Sequence, residues 1–268
     1  MFTNPVDGRR IARWACVLVK PHPHRGAKMS NPAAGVDSAS FEKLYSGDTP
    51  KAPKMPWDLG APQPLVVELA EAGEFTGDVL DIGCGLGDNS VFLASRGLRV
   101  TGLDCAPSAV EQARARAAAK GVDVTFDLAD ALELEGYEAC FDTVLDCALY
   151  HVLTEHERHQ YAAALTKATR PDARLHLLAF STALRGIYPD RHLVSEASLR
   201  ETLGAHWTIE QLEAANYTTA CTLEELQVSA RAVLGDAANI DGLTAFPTDG
   251  EGRVLLPIWQ LKAVRTAA

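Results

Sequence analysis

Val79-Leu80-Asp81-Ile82-Gly83-Cys84-Gly85-Leu86-Gly87-Asp88-Asn89 is the stretch that decides the fold. An apolar, β-prone run meets an acid, passes three glycines at alternate positions and leaves through polar residues able to start a helix. Glycine lets the backbone approach a ligand closely, and the free N–H groups of a helix start supply donors. In open α/β sheets, the turn after the first strand is a usual ligand contact, outside the carboxyl ends of the strands.

Outward from this turn the pattern alternates. Short apolar runs at 78–82, 98–103, 122–128, 141–146 and 174–180 read as strands, and 89–96, 107–120 and 155–169 as helices. Gly97 and Gly121 stand where helix C-caps belong, and Pro107 where a helix should begin. Strands and helices in this alternation predict a parallel sheet covered on both faces. A helix at 195–203, a strand at 206–214, a helix at 223–234 and a last strand at 253–264 complete it. The expected fold is therefore α/β, a single Rossmann-like doubly wound domain. Its seven-stranded sheet is mostly parallel with an antiparallel last strand. This core should occupy 76–268, with a lid-like insertion around 215–250.

Upstream, 38–46 is a short helix with Phe41, Leu44 and Tyr45 on one face. A Pro- and Gly-rich loop at 47–64 carries Met55, Trp57 and Leu59, so it should fold onto something. Pro64 then opens a helix with Leu65, Val66, Leu69 and Ala70 as its buried stripe. Residues 29–75 thus read as N-terminal helices and a covering loop. Residues 1–28 hold six Lys/Arg against the single acid Asp7 and pattern into no packed element, so a disordered extension is expected there.

Composition narrows the function. The 268 residues carry a net charge of -10, which argues against a nucleic-acid partner, because phosphate binding rests on Lys and Arg. No apolar run reaches the roughly 20 residues needed to span a bilayer, so no membrane partner is expected. Six scattered cysteines form neither a CxxC pair nor a zinc spacing, which fits a reducing cytoplasm and predicts no metal.

Charge also chooses the ligand. A dinucleotide turn follows G-x-G-x-x-G and receives an anionic pyrophosphate, which an acid entering the turn would repel. Here the spacing is G-x-G-x-G through Gly83, Gly85 and Gly87, with Asp81 before it and Asp88 after it. Acids on both sides suit a cationic ligand such as S-adenosyl-L-methionine, with its ammonium and sulfonium, and disfavour NAD. Asp104 closes the second strand and can accept both ribose hydroxyls. Asp130, at the end of the third strand, is placed for the adenine amino group, and Asp146 arrives at the same edge from the fourth.

With these residues the chain resembles the class I S-adenosylmethionine-dependent methyltransferases over about 76–182. Within that family, Pro56-Trp57-Asp58-Leu59-Gly60-Ala61-Pro62-Gln63-Pro64 is similar to the thiopurine and halide/thiol methyltransferase group and to mycobacterial methyltransferases of hydroxyquinolones and related heterocyclic toxins. The resemblance implies that Trp57, near the transferred methyl, and Asp81, Gly83, Cys84, Gly85, Gly87, Asn89, Asp104, Cys105, Asp130, Ala131 and Asp146 form the cofactor site.

In-line displacement from a sulfonium needs alignment and water exclusion, and no metal or covalent intermediate. Trp57 can stack on an apolar substrate and attract the sulfonium. Tyr150 and His151 follow the fourth strand on the cofactor edge, and His151 is a candidate base for a hydroxyl acceptor. Tyr45 is the further candidate for substrate contact; Tyr188, His192 and Tyr217 could line a pocket, but each alone reads as ordinary packing or surface. The expected enzyme methylates a small phenolic or heteroaromatic hydroxyl, with N- or S-methylation close behind. A thiol or halide methyltransferase is the first alternative, and an NAD-dependent oxidoreductase or a non-catalytic cofactor-binding protein the alternatives of other classes.

Overall fold

A computed structural model describes residues 38–47, 54–234 and 239–266. The expected disordered extension at 1–28 lies outside the described residues. Two short helices, α1 (Ser38–Tyr45) and α2 (Pro64–Glu71), precede the sheet. Next come β1 (Asp78–Ile82), α3 (Asp88–Ser95), β2 (Arg99–Asp104), α4 (Pro107–Lys120), β3 (Thr125–Leu128) and β4 (Phe141–Cys147). The chain continues through α5 (Glu155–Ala168), β5 (Thr169–Phe180), α6 (Glu196–Gly204), β6 (Trp207–Thr222), α7 (Leu223–Leu234) and β7 (Arg253–Arg265).

The seven strands lie in the order β3-β2-β1-β4-β5-β7-β6. Strands β1 to β5 are parallel, with Asp81 opposite Gly102 on one side and Leu145 on the other. Strand β7 runs antiparallel to both β5 and β6. The sheet is laid outward from β1 in one direction through β2 and β3, then in the other through β4 and β5. The crevice at the carboxyl ends of β1 and β4 is therefore the switch point, where such folds bind ligands.

Side chains of β1, β4 and β5 explain why these strands read as continuous apolar runs. Leu80, Val144, Leu175 and Leu177 pack on Tyr161 and Leu165 of α5. From the same strands Val79, Leu145 and Leu178 meet Val66 and Leu69 of α2 on the opposite face. Local signals set the helix ends: Pro107 opens α4, Gly121 closes it at φ 64, and Thr154 with Glu157 forms a capping box on α5.

Three boundaries differ from the sequence reading. Strand β3 starts at Thr125, because Val122 is drawn into the α4 C-cap by a bond to Ala117 O. Strand β5 starts five residues early, at Thr169, with a register irregularity opposite 141–143. Strand β6 runs on to Thr222, so the first eight residues of the expected lid belong to the sheet. Beyond that strand, α7 and a 3-10 turn at Ile240–Ala245 pack Leu226 and Leu243 into a separate apolar cluster with Leu184 and Leu256.

The loop at 54–63 is stitched to this C-terminal edge. Ala220 N–H donates to Pro56 O at 2.7 Å, Gln63 Nε2 to Thr218 O at 2.8 Å, and Ser229 Oγ to Lys54 O at 3.0 Å.

Candidate active site

The glycine turn adopts left-handed backbone at Gly83, Gly85 and Gly87, with φ 69, 52 and 81. At Gly87 a Cβ would stand 2.7 Å from the Phe126 ring and 2.9 Å from Ala113, so the third glycine is where α3 closes on β3 and α4. At Gly85 it would stand 3.0 Å from the Tyr45 hydroxyl, which puts α1 directly over the turn. Glu42 accepts from Ser108 N–H and Oγ, and Gln112 Nε2 donates to Tyr45 O, fixing α1 to the head of α4.

Asp104, at the end of β2, accepts Gly85 N–H at 2.8 Å on one oxygen and Ala106 N–H at 2.9 Å on the other. Burial raises its pKa, against the pull of these backbone donors. The Cys105 backbone adds to this pull, and a carboxylate's roughly four lone-pair sites leave room for a further donor. Asp81 lies below the turn, 1% exposed, and accepts the Ser90 hydroxyl at 2.6 Å. Desolvation above all carries its pKa to about 7, with Ser90 opposing and Asp104 and Asp146 adding to the rise.

Around the turn lies a cavity of about 260 Å³ with two unlike ends. One end is the glycine turn with Asn89, Asp104, Cys105, Ala129 and Ala131. The other is aromatic: Trp57, His151, Phe180, Tyr188, His192 and Tyr217. His151 stacks on Phe180 with ring centroids 4.1 Å apart, and Tyr188 and Tyr217 meet the same phenyl ring at 5.2 and 6.2 Å. Trp57 Nε1 donates to Tyr45 Oη at 3.0 Å, joining the loop to α1 above the cavity.

Among the residues expected at the site, Tyr45, Trp57, Gly83, Cys84, Gly85, Gly87, Asn89, Asp104, Cys105, Ala131 and His151 all line this cavity. Four others do not. Asp81 is covered by the turn itself. Asp146 is spent internally: it accepts Leu149 and Tyr150 N–H at 2.9 and 3.2 Å and the Tyr161 hydroxyl at 2.7 Å. Asp130 is exposed and caps Leu132 N–H at 2.9 Å, while its neighbours Ala129 and Ala131 face the cavity. Tyr150 is fully buried against Tyr161 and under the Arg158 guanidinium, away from the cavity.

Asp88 also has another task than the one its charge suggested. It accepts from Arg116 Nη1 at 2.5 Å, and the same guanidinium holds Asp58 at 2.9 and 3.1 Å. The acid after the glycines thus latches the Trp57 loop to α3 and α4.

His151, the candidate base of the sequence reading, lines the cavity with its ring held by the backbone. Its Nδ1 accepts the Phe180 N–H at 3.5 Å, so the neutral ring carries its proton on Nε2 and offers a donor there. Burial, with His192 and Arg158 nearby, lowers its pKa to about 3. Sequence reasoning missed Phe180, although it ends β5 on the edge that carries the acids; its position alone marked it. Tyr188, His192 and Tyr217, which the sequence offered only as residues that could line a pocket, do line it: two come from the irregular segment after β5 and one from the extended part of β6.

The cavity suits a cationic nucleoside. Among the described residues its lining includes no Lys or Arg; the charges of Asp58 and Asp88 are met by Arg116, and Asp104 keeps acceptor capacity at the strand end where ribose hydroxyls would sit. Among the described residues no helix is long and apolar enough to cross a membrane.

Comparison with known proteins accords with this geometry. A methyltransferase domain family matches residues 79–172. A 2-heptyl-1-hydroxyquinolin-4(1H)-one methyltransferase of Mycobacteroides abscessus is 39% identical over 181 residues, covering 65% of this chain and 79% of that protein. A probable thiol methyltransferase of Arabidopsis thaliana is 31% identical over 146 residues, 53% of this chain and 62% of its own length. Among solved structures, one from work on the conversion of a disulfide bond into a thioacetal group during echinomycin biosynthesis superposes with a TM-score of 0.68 at 31% identity, over 85% of this chain and 91% of that one. The Burkholderia thailandensis 1,6-didemethyltoxoflavin-N1-methyltransferase, solved with bound 1,6-didemethyltoxoflavin and S-adenosylhomocysteine, gives 0.58 at 22% identity over 90% and 93% of the two chains.

Proposed function

Because the chain belongs to the S-adenosylmethionine-dependent methyltransferases, what is left open is its acceptor, and we propose a small, planar heteroaromatic or phenolic hydroxyl. The observation that carries this is the aromatic end of the cavity. Phe180, Tyr188, Tyr217 and Trp57 offer ring faces and edges and no cation, so a flat uncharged body is favoured over a phosphate or carboxylate. The hydroxyquinolone named for the M. abscessus relative has a body of this kind.

In this reading Gly83, Gly85 and Gly87 admit the backbone-hugging part of the cofactor, Asp104 accepts the ribose hydroxyls, and Cys105 and Ala131 flank the base. When bound, S-adenosylmethionine supplies the electrophilic methyl group and a neutral thioether leaving group. The protein aligns the acceptor oxygen with that methyl and keeps water out. Trp57 walls the reacting centre, with its indole N–H held by Tyr45. His151 donates through Nε2 and orients the acceptor.

The test is a screen of hydroxyquinolones, phenols, thiols and halides with methyl-labelled S-adenosylmethionine. Turnover highest on a hydroxylated heteroaromatic supports the reading. Turnover confined to thiols or halides would replace it with the thiol-methyltransferase alternative, for which the A. thaliana relative speaks.

A further inference from the structure

Two histidines line the aromatic end, and the backbone fixes their tautomers in opposite senses. His151 Nδ1 receives the Phe180 N–H, a group that only donates. His192 Nδ1 lies 3.4 Å from the His151 carbonyl oxygen, a group that only accepts. A neutral His151 therefore carries its proton on Nε2, whereas a neutral His192 carries it on Nδ1 and keeps its lone pair on Nε2. Neither Nε2 is hydrogen-bonded within the described residues, neither is among their sealed, partnerless polar atoms, and both rings line the cavity, so each Nε2 keeps accessible surface for a ligand atom.

We propose that His192, through Nε2, is the base that takes the proton of a hydroxyl acceptor, with His151 as the donor beside it. This rests on the hydroxyl reading of the acceptor. The oxygen's proton passes to Nε2 of His192 while an oxygen lone pair forms the bond to the methyl carbon. The carbon–sulfur electrons return to sulfur, leaving the methyl ether, S-adenosylhomocysteine and an imidazolium. The His151 carbonyl then accepts from the charged ring. Arg191 in the same turn and Arg158 on α5, whose Nη2 donates to Arg191 O at 3.4 Å, oppose that charge and favour return of the proton to water. Burial, Arg191 and Arg158 lower the His192 pKa, so the free ring is neutral and its lone pair available at neutral pH.

Two measurements test the assignment. Carbon and nitrogen shifts of histidine-labelled protein without cofactor should show His192 as the Nδ1–H tautomer and His151 as the Nε2–H tautomer; a protonated Nε2 on neutral His192 overturns the proposal without any turnover. The second is a series of hydroxyl acceptors graded in acidity. His192→Asn keeps an amide donor for the His151 carbonyl and removes the lone pair. Its rate deficit should grow with acceptor pKa, from under about 10-fold for an acceptor already ionised to about 10²–10⁴-fold for one fully protonated. His151→Asn should show a deficit that does not follow acceptor pKa. An equal His192→Asn deficit across the series, or a pKa-dependent one in His151→Asn alone, overturns the base assignment. Wild-type protein that methylates no hydroxyl at all overturns the acceptor reading and the need for a base together.

Discussion

Arg116 is the residue whose removal should most directly loosen the site without touching either reactant. From α4 it spans Asp58, on the Trp57 loop, at 2.9 and 3.1 Å, and Asp88, at the head of α3, at 2.5 Å. All three side chains are between 13% and 27% exposed, so solvent weakens the latch but does not erase it. Charged hydrogen bonds are worth about 1.5–3 kcal/mol in buried settings, and partial exposure lowers the whole latch to about 1–3 kcal/mol. At 1.4 kcal/mol per factor of ten, Arg116→Met should weaken S-adenosylmethionine binding by about 5- to 100-fold if loop closure is coupled to binding. Removing Arg116 also leaves Asp58 and Asp88 facing each other, so adding Asp58→Asn should recover part of the loss. Lys120→Ala is the control: its ammonium is half exposed and 3.9 Å from Asp88, so it should cost less than about twofold. Isothermal calorimetry measures all four proteins. A change under about twofold for Arg116→Met, with loss of the second variant's recovery, would refute the idea that the ion pairs hold the loop for the cofactor.

Asp104→Asn should weaken cofactor binding by about 10- to 100-fold in the same assay, because one side-chain oxygen becomes a donor facing Gly85 or Ala106 N–H and the charge that accepts hydroxyls is gone; unchanged affinity would remove Asp104 from the site. Asp81→Asn tests the buried carboxyl through pH. The folded chain keeps this group protonated up to about 7, and the unfolded chain only to about 3.9, so its favourable contribution is complete below the lower value and is lost as pH rises through the upper one. Asn accepts the Ser90 hydroxyl equally well, so its melting-temperature advantage over wild type should widen by a few degrees between pH 5 and 8. His151 and His176, lowered to about 3 and about 4, tilt the wild-type curve the other way between those values and about 6.5, so the difference between proteins is what is read. A gap independent of pH would show that Asp81 is not titrating there.

The glycine turn was legible in the sequence because it is written in short-range signals. Strand, acid, alternate glycines and helix start sit within eleven residues, and Asp104 follows one β-α-β unit later. Charge was a less faithful guide than spacing. Asp88, Asp130 and Asp146 stand where an acid would meet a ligand, yet their oxygens are taken by Arg116, by Leu132 N–H, and by Tyr161 with two backbone amides. A one-dimensional pattern shows where a side chain starts but not which donors reach it first. The length of β6 was hidden for a related reason. Residues Tyr217 to Cys221 are buried in succession, so the polar Thr218-Thr219 pair breaks an alternation that the real strand does not have. The histidine tautomers were beyond sequence altogether, since each follows from a single backbone group, Phe180 N–H or His151 C=O, brought from another segment.

The two ends of the cavity differ in how the chain supplies them, and this bears on descent. The cofactor end comes mainly from one span, from Ile82 to Ala131, inside the part that matches the methyltransferase domain. The aromatic end is gathered from four separate places: the loop at Trp57, the turn after β4, the stretch from Phe180 to His192, and Tyr217 on β6. Lineages built on this plan can change one of those four pieces at a time while the methyl donor's berth stays whole. Two proteins that are 39% and 31% identical to this chain over their matched stretches are accordingly named for acceptors as different as a hydroxyquinolone and a thiol.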